Sequence, residues 1–511
     1  MCDDDDEVES IRKQLRNVAL FAEESSELKL RKYQEAVARA VVDSIVNERG
    51  LSIVVMFPRQ SGKNELQAQL EAYLMTIFYR LDKEMIKVSP TWKPQSLNAM
   101  RRLERVLVRN ELCRDRWKKE QGYIYRVNGV RIFFLSGSRA TNVVGATANL
   151  LLQCDEAQDV LASKWDKDFA PMAASTNATR VFWGTAWTSR TLLARELRAA
   201  REAEKKDGIQ RVFKMTAEDV AAEVPEYKKF VEEQVARFGR NHPLVKTQYF
   251  CEEIDAEGGM FPPKRRRMMR GEHSRLLEPG EGQIYAFLID VAGEDEGAAD
   301  IISDLEKNML RNPARNSTAL TIVEVDRSTV ADQLIKAPTY KVVDRRSWLG
   351  VSHTAIYGEI RALADLWRPR YVVVDATGVG VGLTSFLSNA LPGRVLPYTF
   401  SPRSKSDLGW SFLAVCDTGR FKDHTSAQGS AEHGEFWNQV EHVEYEALAN
   451  KVLRWSVPDG TRDAKTGELV HDDLVLSAAL CAVLDDQDWA GGGPTLMVRA
   501  RDPLVEMDRG F

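Results

Sequence analysis

The stretch Leu51–Asn64 constrains the fold of this chain more than any other. It contains the apolar, β-branched run Ile53–Met56, typical of a buried strand, and the helix-favouring stretch Glu65–Tyr79 follows it. The loop between them consists of Pro58, Arg59, Gln60, Ser61, Gly62, Lys63 and Asn64. A strand, a tight loop and a helix that starts with Gly-Lys can cradle phosphate. Loop N–H groups and the helix N-terminus face the anion, and the lysine ammonium reaches the outer phosphates.

The loop departs from the pattern G-x-x-x-x-G-K-[ST] at two positions. Phe57 occupies the position of the first glycine, and Asn64 replaces the Ser or Thr whose hydroxyl would hold Mg²⁺. Taken alone, a Gly-Lys pair after a strand fits a simple turn as well as a phosphate site. The later segments of the chain favour the phosphate site.

The stretch Leu150–Gln158 supplies the second half of a predicted nucleotide-hydrolysing site. It is an apolar strand that ends in the adjacent carboxylates of Asp155 and Glu156. We expect Asp155 to bind Mg²⁺, usually through water, and Glu156 to polarise the attacking water as general base. The alternative interpretation is a helix N-cap with an acid that the helix dipole favours. The preceding Gly-Lys loop, with further strands between, favours the catalytic interpretation.

Two more residues extend the predicted nucleotide site. Thr185 follows the predicted strand Arg180–Gly184, where a small polar residue can sense the γ-phosphate and link hydrolysis to motion. Gln34 lies in the predicted helix Leu28–Val46, shortly before the first strand, in a position to read an adenine edge. Taken alone, Thr185 also fits a turn, and Gln34 also fits an amide on a helix surface.

Further elements alternate between strand and helix in the first half of the chain. This alternation predicts a parallel sheet with ligands at the carboxyl ends of its strands. The additional predicted strands are Met85–Ser89 and Arg131–Leu135, and the additional helices are Leu97–Val108, Thr191–Lys206 and Ala217–Phe238. The last two helices are long and charged, and we interpret them as a lid.

A second αβ unit starts at the predicted strand Ile284–Asp290. The remaining predicted elements are the strands Ala319–Val325, Tyr340–Asp344, Tyr371–Val374, Val395–Tyr398 and Val452–Ser456, and the helices His353–Trp367 and Asp472–Leu484. Acids stand at two strand ends and at the start of the last helix: Asp290, Asp375, Asp472 and Asp473. Carboxylates that converge at such ends are unstable unless cations neutralise them. Two Mg²⁺ or Mn²⁺ ions would do so, and they would activate water and stabilise the leaving oxygen of a phosphodiester. Singly, Asp375 also fits a turn and Asp472 an N-cap.

Three polar or basic stretches are candidate DNA contacts: Lys264–Arg270, Pro402–Lys405 and the hairpin-like Val457–Val470. Their alternative interpretation is a solvated surface. The net charge of −5 does not itself indicate nucleic-acid binding.

Composition excludes several classes of protein. A content of 44% apolar and 28% charged residues is typical of a globular protein, and no run of 18 apolar residues predicts a membrane span. The acidic N-terminus does not fit a signal peptide. Six scattered cysteines without C-x-x-C suit a reducing cytosol and argue against disulfides and structural zinc.

The motifs together resemble the large terminase subunit of tailed bacteriophages and prophages. The resemblance rests on Pro-Arg-Gln-Ser-Gly-Lys at 58–63, Leu-Leu-Gln-Cys-Asp-Glu-Ala-Gln at 151–158, Gly-Thr-Ala at 184–186, Asp290, Asp375-x-x-Gly-x-Gly, and His-Asp-Asp at 471–473. It implies an α/β chain: an N-terminal P-loop ATPase with a central parallel sheet, of the ASCE or RecA-like class, and a C-terminal RNase H-like mixed-sheet nuclease. We expect the ATPase at 1–255 with a lid at about 190–255, a linker at 256–280, the nuclease at 281–488 and a tail at 489–511.

The resemblance also implies an activity, cofactors and partners. The expected activity is ATP-driven packaging of double-stranded viral DNA into the procapsid and metal-dependent cleavage of concatemeric DNA in the host cytoplasm. The cofactors would be ATP and Mg²⁺, with Mn²⁺ able to replace Mg²⁺ in the nuclease. The partners would be duplex DNA, a portal protein, a small terminase subunit and further copies of the chain in a ring.

Positions carry over residue by residue from this resemblance. Lys63 and Arg59 would contact phosphates, Thr185 would couple hydrolysis to translocation, and Gln34 would face adenine. Members of the family often carry an arginine directly before the glycine that lies ten residues upstream of the Asp-Glu pair, and here Val144 precedes Gly145. The candidate for the trans-acting arginine is therefore Arg139.

Two other classes of protein remain as alternatives. A non-viral helicase–nuclease of DNA repair would usually carry a second RecA-like domain, and no second Gly-Lys loop follows Asn64. A scaffold with decayed sites would not be expected to keep Lys63, Asp155, Glu156 and the later aspartates.

Overall fold

The chain forms two compact units. The computed structural model describes residues 2–138, 145–255, 257–292, 317–425, 430–448, 451–463, 466–487 and 489. Unit 1 comprises Met1–Met260, Lys405–Asp417 and Val443–Pro458, and unit 2 comprises Phe261–Ser404, Thr418–His442 and Asp459–Phe511.

This division differs from the continuous stretches 1–255 and 281–488 expected from the sequence, because two later segments pack within unit 1. The indole N–H of Trp187 donates to the carbonyl of Leu448 at 3.0 Å. The ring of Trp410 meets that of Trp187 edge-on, with centroids 6.2 Å apart. Such contacts join residues far apart in the chain, so no local pattern announces them.

Unit 1 is built on an eight-stranded sheet in the order β3-β4-β5-β2-β6-β7-β1-β8. Its strands are β1 Ser52–Met56, β2 Lys83–Ser89, β3 Trp117–Glu120, β4 Ile124–Val127, β5 Val130–Ser136, β6 Leu151–Cys154, β7 Thr179–Gly184 and β8 Val212–Lys214. The pairs from β5 to β8 are parallel, and β3 and β4 add an antiparallel edge. Because β7 lies between β1 and β6, the three strand ends that carry the nucleotide motifs are neighbours.

Helices cover both faces of this sheet. They are α1 Cys2–Arg16, α2 Val18–Leu20, α3 Lys32–Val46, α4 Lys63–Ile77, α5 Leu97–Arg109, α6 Ala162–Lys164, α7 Leu192–Asp207, α8 Ala217–Glu223, α9 Pro225–Phe238 and α10 Pro243–Phe250. One apolar core lies beneath α3 and α4, and another lies beneath α7. Burial of these apolar faces is the main force that holds the layers together.

The predicted helix Ala217–Phe238 is two helices in the structure, α8 and α9. Pro225 occupies the first position of α9, and Val224 has an extended backbone. Proline lacks the N–H that would continue the preceding helix, and it disfavours helical geometry in the residue before it. The β3–β4 hairpin was not predicted.

The expected linker 256–280 holds regular structure as well. The strand β9 Glu257–Gly259 forms a small sheet of unit 1 with β16 Glu444–Ala447 and β17 Leu453–Ser456. The helix α11 Pro263–Met269 covers most of the basic run, and within it Arg265 is buried. Arg266 forms an ion pair with Glu441, so this run is partly engaged in the fold of unit 2.

Unit 2 is built on a six-stranded mixed sheet in the order β14-β13-β10-β11-β12-β15. Its strands are β10 Tyr285–Asp290, β11 Thr318–Asp326, β12 Thr339–Trp348, β13 Tyr371–Asp375, β14 Val395–Tyr398 and β15 Phe421–Lys422. The pairs β10–β11 and β11–β12 are antiparallel, and the other pairs are parallel. This agrees with the mixed sheet expected for the second half of the chain.

The helices after β12 are α12 His353–Trp367, α13 Gly380–Ala390, α14 Pro402–Asp417, α15 Ala431–His442 and α16 Asp473–Ala479. From Lys405 onward, α14 belongs to unit 1. The predicted helix Asp472–Leu484 changes to a tighter helical turn over Leu480–Asp486. Across the residues that the structure describes, no helix has both the length and the apolar composition for crossing a membrane.

Candidate active sites

The loop before α4 has the shape of a phosphate cradle. Gly62 caps the helix with a φ of 84°, and a Cβ built there would lie 2.7 Å from Nε2 of Gln34. Only glycine adopts this left-handed backbone readily and allows such a close approach. The hydroxyl of Ser61 donates to the carbonyl of Pro58 at 2.7 Å, which closes the loop on itself.

Gln34 holds the phosphate loop through a hydrogen bond to its backbone. Its Oε1 accepts a hydrogen bond from the backbone N–H of Arg31 at 2.9 Å, and its Nε2 donates to the carbonyl of Gly62 at 3.2 Å. The hydroxyl of Tyr33 donates to the carbonyl of Ser61 at 2.7 Å. The oxygen and the nitrogen of the Gln34 amide therefore both bind backbone groups. The contact of Gln34 with adenine stays a prediction.

Lys63 and Glu156 form a partly buried ion pair, with 2.8 Å between Nζ and Oε1. Burial disfavours the charge on Lys63, but the carboxylates of Glu156 and Asp155 outweigh burial and raise its pKa. Burial likewise opposes ionisation of Glu156, and the lysine outweighs it, so the pKa of Glu156 is lowered. The pair is therefore charged at neutral pH.

Asp155 and Glu156 stand at the end of β6, as predicted. Oδ1 of Asp155 accepts a hydrogen bond from Nε2 of Gln67 at 3.0 Å. Gln67 lies one helical turn after Lys63, so the same face of α4 meets both carboxylates. Glu156 has a left-handed backbone with φ of 46°, and its side chain makes no capping hydrogen bond. The N-cap interpretation therefore does not account for it.

A glutamine connects Glu156 to Thr185. Nε2 of Gln158 donates to Oε2 of Glu156 at 2.6 Å, and Oε1 accepts from the backbone N–H of Thr185 at 3.2 Å. Gly184 leaves room for this amide, because a Cβ there would lie 2.2 Å from Oε1. Gln158 was not predicted as a site residue, although it lies only two residues after Glu156.

A fully buried polar chain ties α4 to the sheet beneath the site. Lys87 in β2 forms an ion pair with Glu71 at 2.9 Å, and Gln153 in β6 donates to the same oxygen at 2.9 Å. The indole N–H of Trp183 in β7 donates to Gln153 at 3.0 Å. Burial raises the pKa of Glu71, although Lys87 opposes the shift. These contacts hold the helix that starts with Lys63 against the strands that end at Asp155 and Thr185.

Most of the predicted nucleotide-site residues, but not Gln34, line one cavity of about 460 Å³ in unit 1. The predicted residues in its wall are Arg59, Gln60, Ser61, Gly62, Lys63, Asn64, Asp155, Glu156 and Thr185, and those not predicted include Gln95, Asn98, Arg102, Asp159, Gln248 and Lys451. Arg59 donates from Nη1 to Oε1 of Gln248 at 3.1 Å. Arg139 lies outside the described residues.

Two cations of the cavity wall were not predicted to belong to the nucleotide site. Arg102 lies on the face of α5 that carries Asn98 and Ala99, and it pairs with Glu65 at 2.8 Å. Helical spacing after the end of β2 is a signal that could have found it. Lys451 lies 3.5 Å from Asp159. Nothing near Lys451 in the sequence points to a nucleotide site.

Asp290 and Asp375 lie side by side at one edge of the sheet in unit 2. The strands β10 and β13 are parallel, with Ile289 opposite Val374, so the next residue of each strand is an aspartate at the same edge. Both aspartates are buried. Oδ1 of Asp375 accepts from the backbone N–H of Thr377 at 2.8 Å, and burial raises the pKa of Asp375.

Asp473 is tied to the same region of the sheet through Ser317. Its Oδ2 accepts from the backbone N–H and hydroxyl of Ser317, at 2.6 and 2.9 Å. Ser317 directly precedes β11, in which Ala319 pairs with Asp290. Ser477, on the same helix as Asp473, donates to the carbonyl of Leu288 at 2.8 Å. Asp473 at the start of α16 is thus linked through Ser317 to β11, the strand that pairs with β10.

The acidic set in unit 2 contains buried carboxylates, but among the described residues its possible ligand atoms do not all lie within 4.8 Å of one another. Burial raises the pKa of Asp473 to about 6, and the neighbouring Asp472 adds to the shift. Oδ1 of Asp473 is buried and has no hydrogen-bond partner among the described residues. Asp472 stands at the N-cap position, but its side chain makes no capping hydrogen bond. A buried carboxylate oxygen without a hydrogen-bond partner in the described parts of the chain, such as Oδ1 of Asp473, is a group that a metal ion would stabilise.

Parts of the sequence are similar to known terminases. Residues 330–475 match the family model described as Terminase RNaseH-like domain. The probable terminase ATPase subunit of Haemophilus phage HP1 (strain HP1c1) is 27% identical over 79 residues, 16% of this chain and 13% of that protein. The match therefore spans a small part of that relative's length.

Similar solved structures include three from phages. The large terminase of bacteriophage HK97 has 10% identity, covers 92% of this chain and 99% of its own, and has a TM-score of 0.41. The large terminase of the thermophilic bacteriophage D6E in complex with ADP has 10% identity, coverage of 90% and 100%, and a TM-score of 0.45. The large terminase nuclease of thermophilic phage G20c with bound magnesium has 14% identity, coverage of 44% and 96%, and a TM-score of 0.31.

The fold class is α/β, with a P-loop ATPase-type unit on a largely parallel sheet and an RNase H-like unit on a mixed sheet. The family model covers Asp375, Asp472 and Asp473. The chain therefore resembles the large terminase subunit of tailed bacteriophages in its motifs and its two sheets, and residues 330–475 match the terminase RNase H-like domain.

Proposed function

We propose that this chain is an ATP-driven translocase that packages double-stranded viral DNA and an endonuclease that cuts concatemeric DNA. The observation that carries the proposal is the Lys63–Glu156 ion pair, 2.8 Å long, in a cavity walled by the phosphate loop and by Asp155. The second acidic set, at the ends of β10 and β13, lies in the other unit. One chain then holds an ATPase site and a separate nuclease site.

In the proposed ATPase, bound nucleotide draws Lys63 away from Glu156. The loop N–H groups and Lys63 bind the β- and γ-phosphates. Asp155 would hold Mg²⁺, which would neutralise charge on the phosphates, and Asn64 would offer an amide oxygen in place of a hydroxyl. Glu156 is then free to accept a proton from the attacking water as general base.

Gln158 is suited to report the state of Glu156 to β7. Its amide joins Oε2 of Glu156 to the backbone N–H of Thr185. When Glu156 exchanges Lys63 for water, the hydrogen bond from Gln158 follows the carboxylate. Thr185 would then couple hydrolysis to translocation through this amide as well as through its own hydroxyl.

Positive charge from outside the loop would stabilise the transferred phosphoryl group. Arg102 and Lys451 both line the cavity, and each is held by a carboxylate that does not belong to the phosphate loop. Phosphoryl transfer spreads charge over the equatorial oxygens, so a nearby cation lowers the barrier. Arg139 stays the candidate for an arginine that acts on a neighbouring subunit.

The proposed nuclease uses Asp290, Asp375 and Asp473, with Asp472 beside them, to hold two Mg²⁺ or Mn²⁺ ions. Bound Mg²⁺ or Mn²⁺ ions would activate water and would stabilise the leaving oxygen of the phosphodiester. Ser317 orients Asp473 by two hydrogen bonds, which would leave Oδ1 for a metal. The aspartates at the ends of β10 and β13 would supply further carboxylate ligands.

The proposed assembly follows the resemblance to terminases. The ATPase would occupy 1–255, with the lid at about 190–255, and the nuclease 281–488, with Lys405–Asp417 and Val443–Pro458 serving the ATPase unit. The partners would be duplex DNA, a portal protein, a small terminase subunit and further copies of the chain in a ring. The stretches Pro402–Lys405 and Val457–Val470 remain candidate DNA contacts.

One preparation of the protein tests the proposal. ATP hydrolysis is measured with and without duplex DNA, and cutting of plasmid DNA is measured with Mn²⁺. We expect DNA-stimulated hydrolysis and metal-dependent cutting. Separation of duplex strands at the expense of ATP would favour the helicase–nuclease class instead. The absence of both activities would favour the class of scaffold proteins with decayed sites.

A further inference from the structure

Three potential metal ligands meet in unit 2, apart from the acidic set. Asp423 and His424 directly follow β15, and His433 lies in α15. All three side chains are buried, with 0%, 3% and 7% of the residue surface exposed. The strands β11 and β12 separate β15 from β10, which carries Asp290. The group therefore belongs to neither site described above.

The distances suit coordination of a single ion. One ligand atom from each residue lies within 4.8 Å of the others, and among the described residues no other group of three such side chains meets this spacing. Oδ2 of Asp423 and Nδ1 of His433 are 3.2 Å apart. Two ligands bound tetrahedrally at about 2.0–2.1 Å from zinc lie about 3.3 Å from each other. The same contact also fits a hydrogen bond from the His433 imidazole to the Asp423 carboxylate, so the two atoms would be bridged either by a proton or by an ion.

The second histidine is oriented for the same task. Nδ1 of His424 lies 3.1 Å from the carbonyl of Thr425. A carbonyl only accepts, so Nδ1 carries the proton and Nε2 keeps a lone pair. A ring N–H held by a backbone carbonyl is the usual outer contact of a metal-bound histidine. The ring of His424 lies over that of His433, with centroids 4.4 Å apart.

Arg345 fixes the carboxylate. Its Nη1 contacts Oδ1 of Asp423 at 2.6 Å, and its guanidinium lies 3.8 Å from the centroid of the Phe436 ring. One oxygen of Asp423 is therefore engaged and the other faces the histidines. Without an ion, the same residues form a buried network of arginine, aspartate and histidine, which is the competing interpretation.

We propose that Asp423, His424 and His433 bind one divalent transition-metal ion of the zinc type. Two imidazoles and one carboxylate suit Zn²⁺ or Co²⁺ better than Mg²⁺, which prefers oxygen ligands. Asp423 and Arg345 already neutralise each other, so a fourth ligand that is an anion, such as hydroxide, would complete the site. The ion would tie the segment after β15 to α15 and stabilise unit 2.

Cobalt binding to the full chain tests this site. The protein is treated with EDTA, exchanged into excess Mg²⁺ to fill oxygen-only sites, and titrated with Co²⁺ while the visible absorption of tetrahedral Co²⁺ is followed. We expect one equivalent in the unmodified chain and in Asp375→Ala. In His424→Gln and His433→Gln we expect at least tenfold weaker binding.

His442→Gln is the matched control. It lies on the same helix, and Nδ1 of His442 contacts the carbonyl of Asn438 at 2.9 Å. We expect this variant to bind Co²⁺ as the unmodified chain does, and Zn²⁺ to displace the Co²⁺ and raise the melting temperature. Circular dichroism in EDTA checks that each variant is folded. If His433→Gln does not fold, the comparison with His424→Gln alone still tests the proposal. The absence of a tetrahedral spectrum, or an equal spectrum in the folded variants, would overturn the proposal.

Discussion

Lys451 lies 3.5 Å from Asp159 in the wall of the nucleotide cavity. Burial raises the pKa of Asp159, and Lys451 acts against that shift. Lys451 belongs to Val443–Pro458, a segment of unit 1 that the chain reaches only after most of unit 2. The proposed ATPase site is thus completed by a residue from the second half of the chain.

Lys451→Ala should lower the rate of ATP turnover about fivefold. The side chain is partly exposed, so its contribution is about 1 kcal/mol rather than that of a buried pair. Steady-state phosphate release measures the effect. Lys205→Ala, which removes an exposed lysine paired with Glu202, is the control and should leave turnover unchanged. An unaltered rate in Lys451→Ala would remove this residue from the site.

Glu156→Gln should abolish ATP turnover, with a loss of at least about 100-fold, because the amide cannot act as a general base. Nucleotide binding should persist, since Gln keeps the shape and frees Lys63 from its ion pair. Mn²⁺-dependent cutting should continue, because the nuclease residues lie in unit 2. ATP hydrolysis that survives the substitution would show that another group activates water.

Asp375→Ala should abolish metal-dependent cutting of plasmid DNA and spare ATP hydrolysis. The substitution removes one wall of the acidic set at the ends of β10 and β13. Gel analysis of nicked and linear product measures cutting, and phosphate release on the same preparation serves as the control. Cutting at the normal rate would exclude Asp375 from metal binding.

Asp473→Asn should stabilise the metal-free protein at pH 8 but not at pH 4. The folded carboxyl keeps its proton up to a pKa of about 6, above its ordinary pKa of 3.8, so ionisation favours unfolding as the pH rises between these values. Above pH 6 the cost is fully present, about 2–3 kcal/mol, and the amide removes it. Thermal melts in EDTA at the two pH values measure the difference. An equal change at both would contradict the assignment.

The same pKa predicts the pH dependence of cutting. Below about pH 6 the proton on Asp473 competes with the metal, so the rate at fixed Mn²⁺ should fall as the pH is lowered. A higher Mn²⁺ concentration should move the midpoint to lower pH. A midpoint pH that does not change with the Mn²⁺ concentration would mean that another group titrates.

Lys87→Met should destabilise unit 1 by about 3 kcal/mol. The substitution leaves Glu71, whose side chain is fully buried, without its cation. The double variant Lys87→Met with Glu71→Leu should recover much of this loss, because neither charge remains buried. Urea denaturation measures both. Equal losses in the single and double variants would show that packing, not charge, accounts for the effect.

The sequence determined the local parts of the two sites. The strand before Lys63, the glycine that caps α4 and the acids that end β6, β10 and β13 are set by neighbouring residues, since hydrogen bonding and side-chain alternation act over short stretches. Parallel strands then align their carboxyl ends, which is why Asp290 and Asp375 could be placed together in advance.

Only the tertiary structure decided which distant residues join them. Lys451 reaches Asp159, Arg102 reaches Glu65, and His433 reaches Asp423 through packing of elements that follow no shared spacing in the chain. The same holds for Gln34, whose amide turns to Gly62 because α3 packs beneath the loop. Long-range contacts depend on how whole apolar faces bury each other, and that is a property of the assembled sheet and helices.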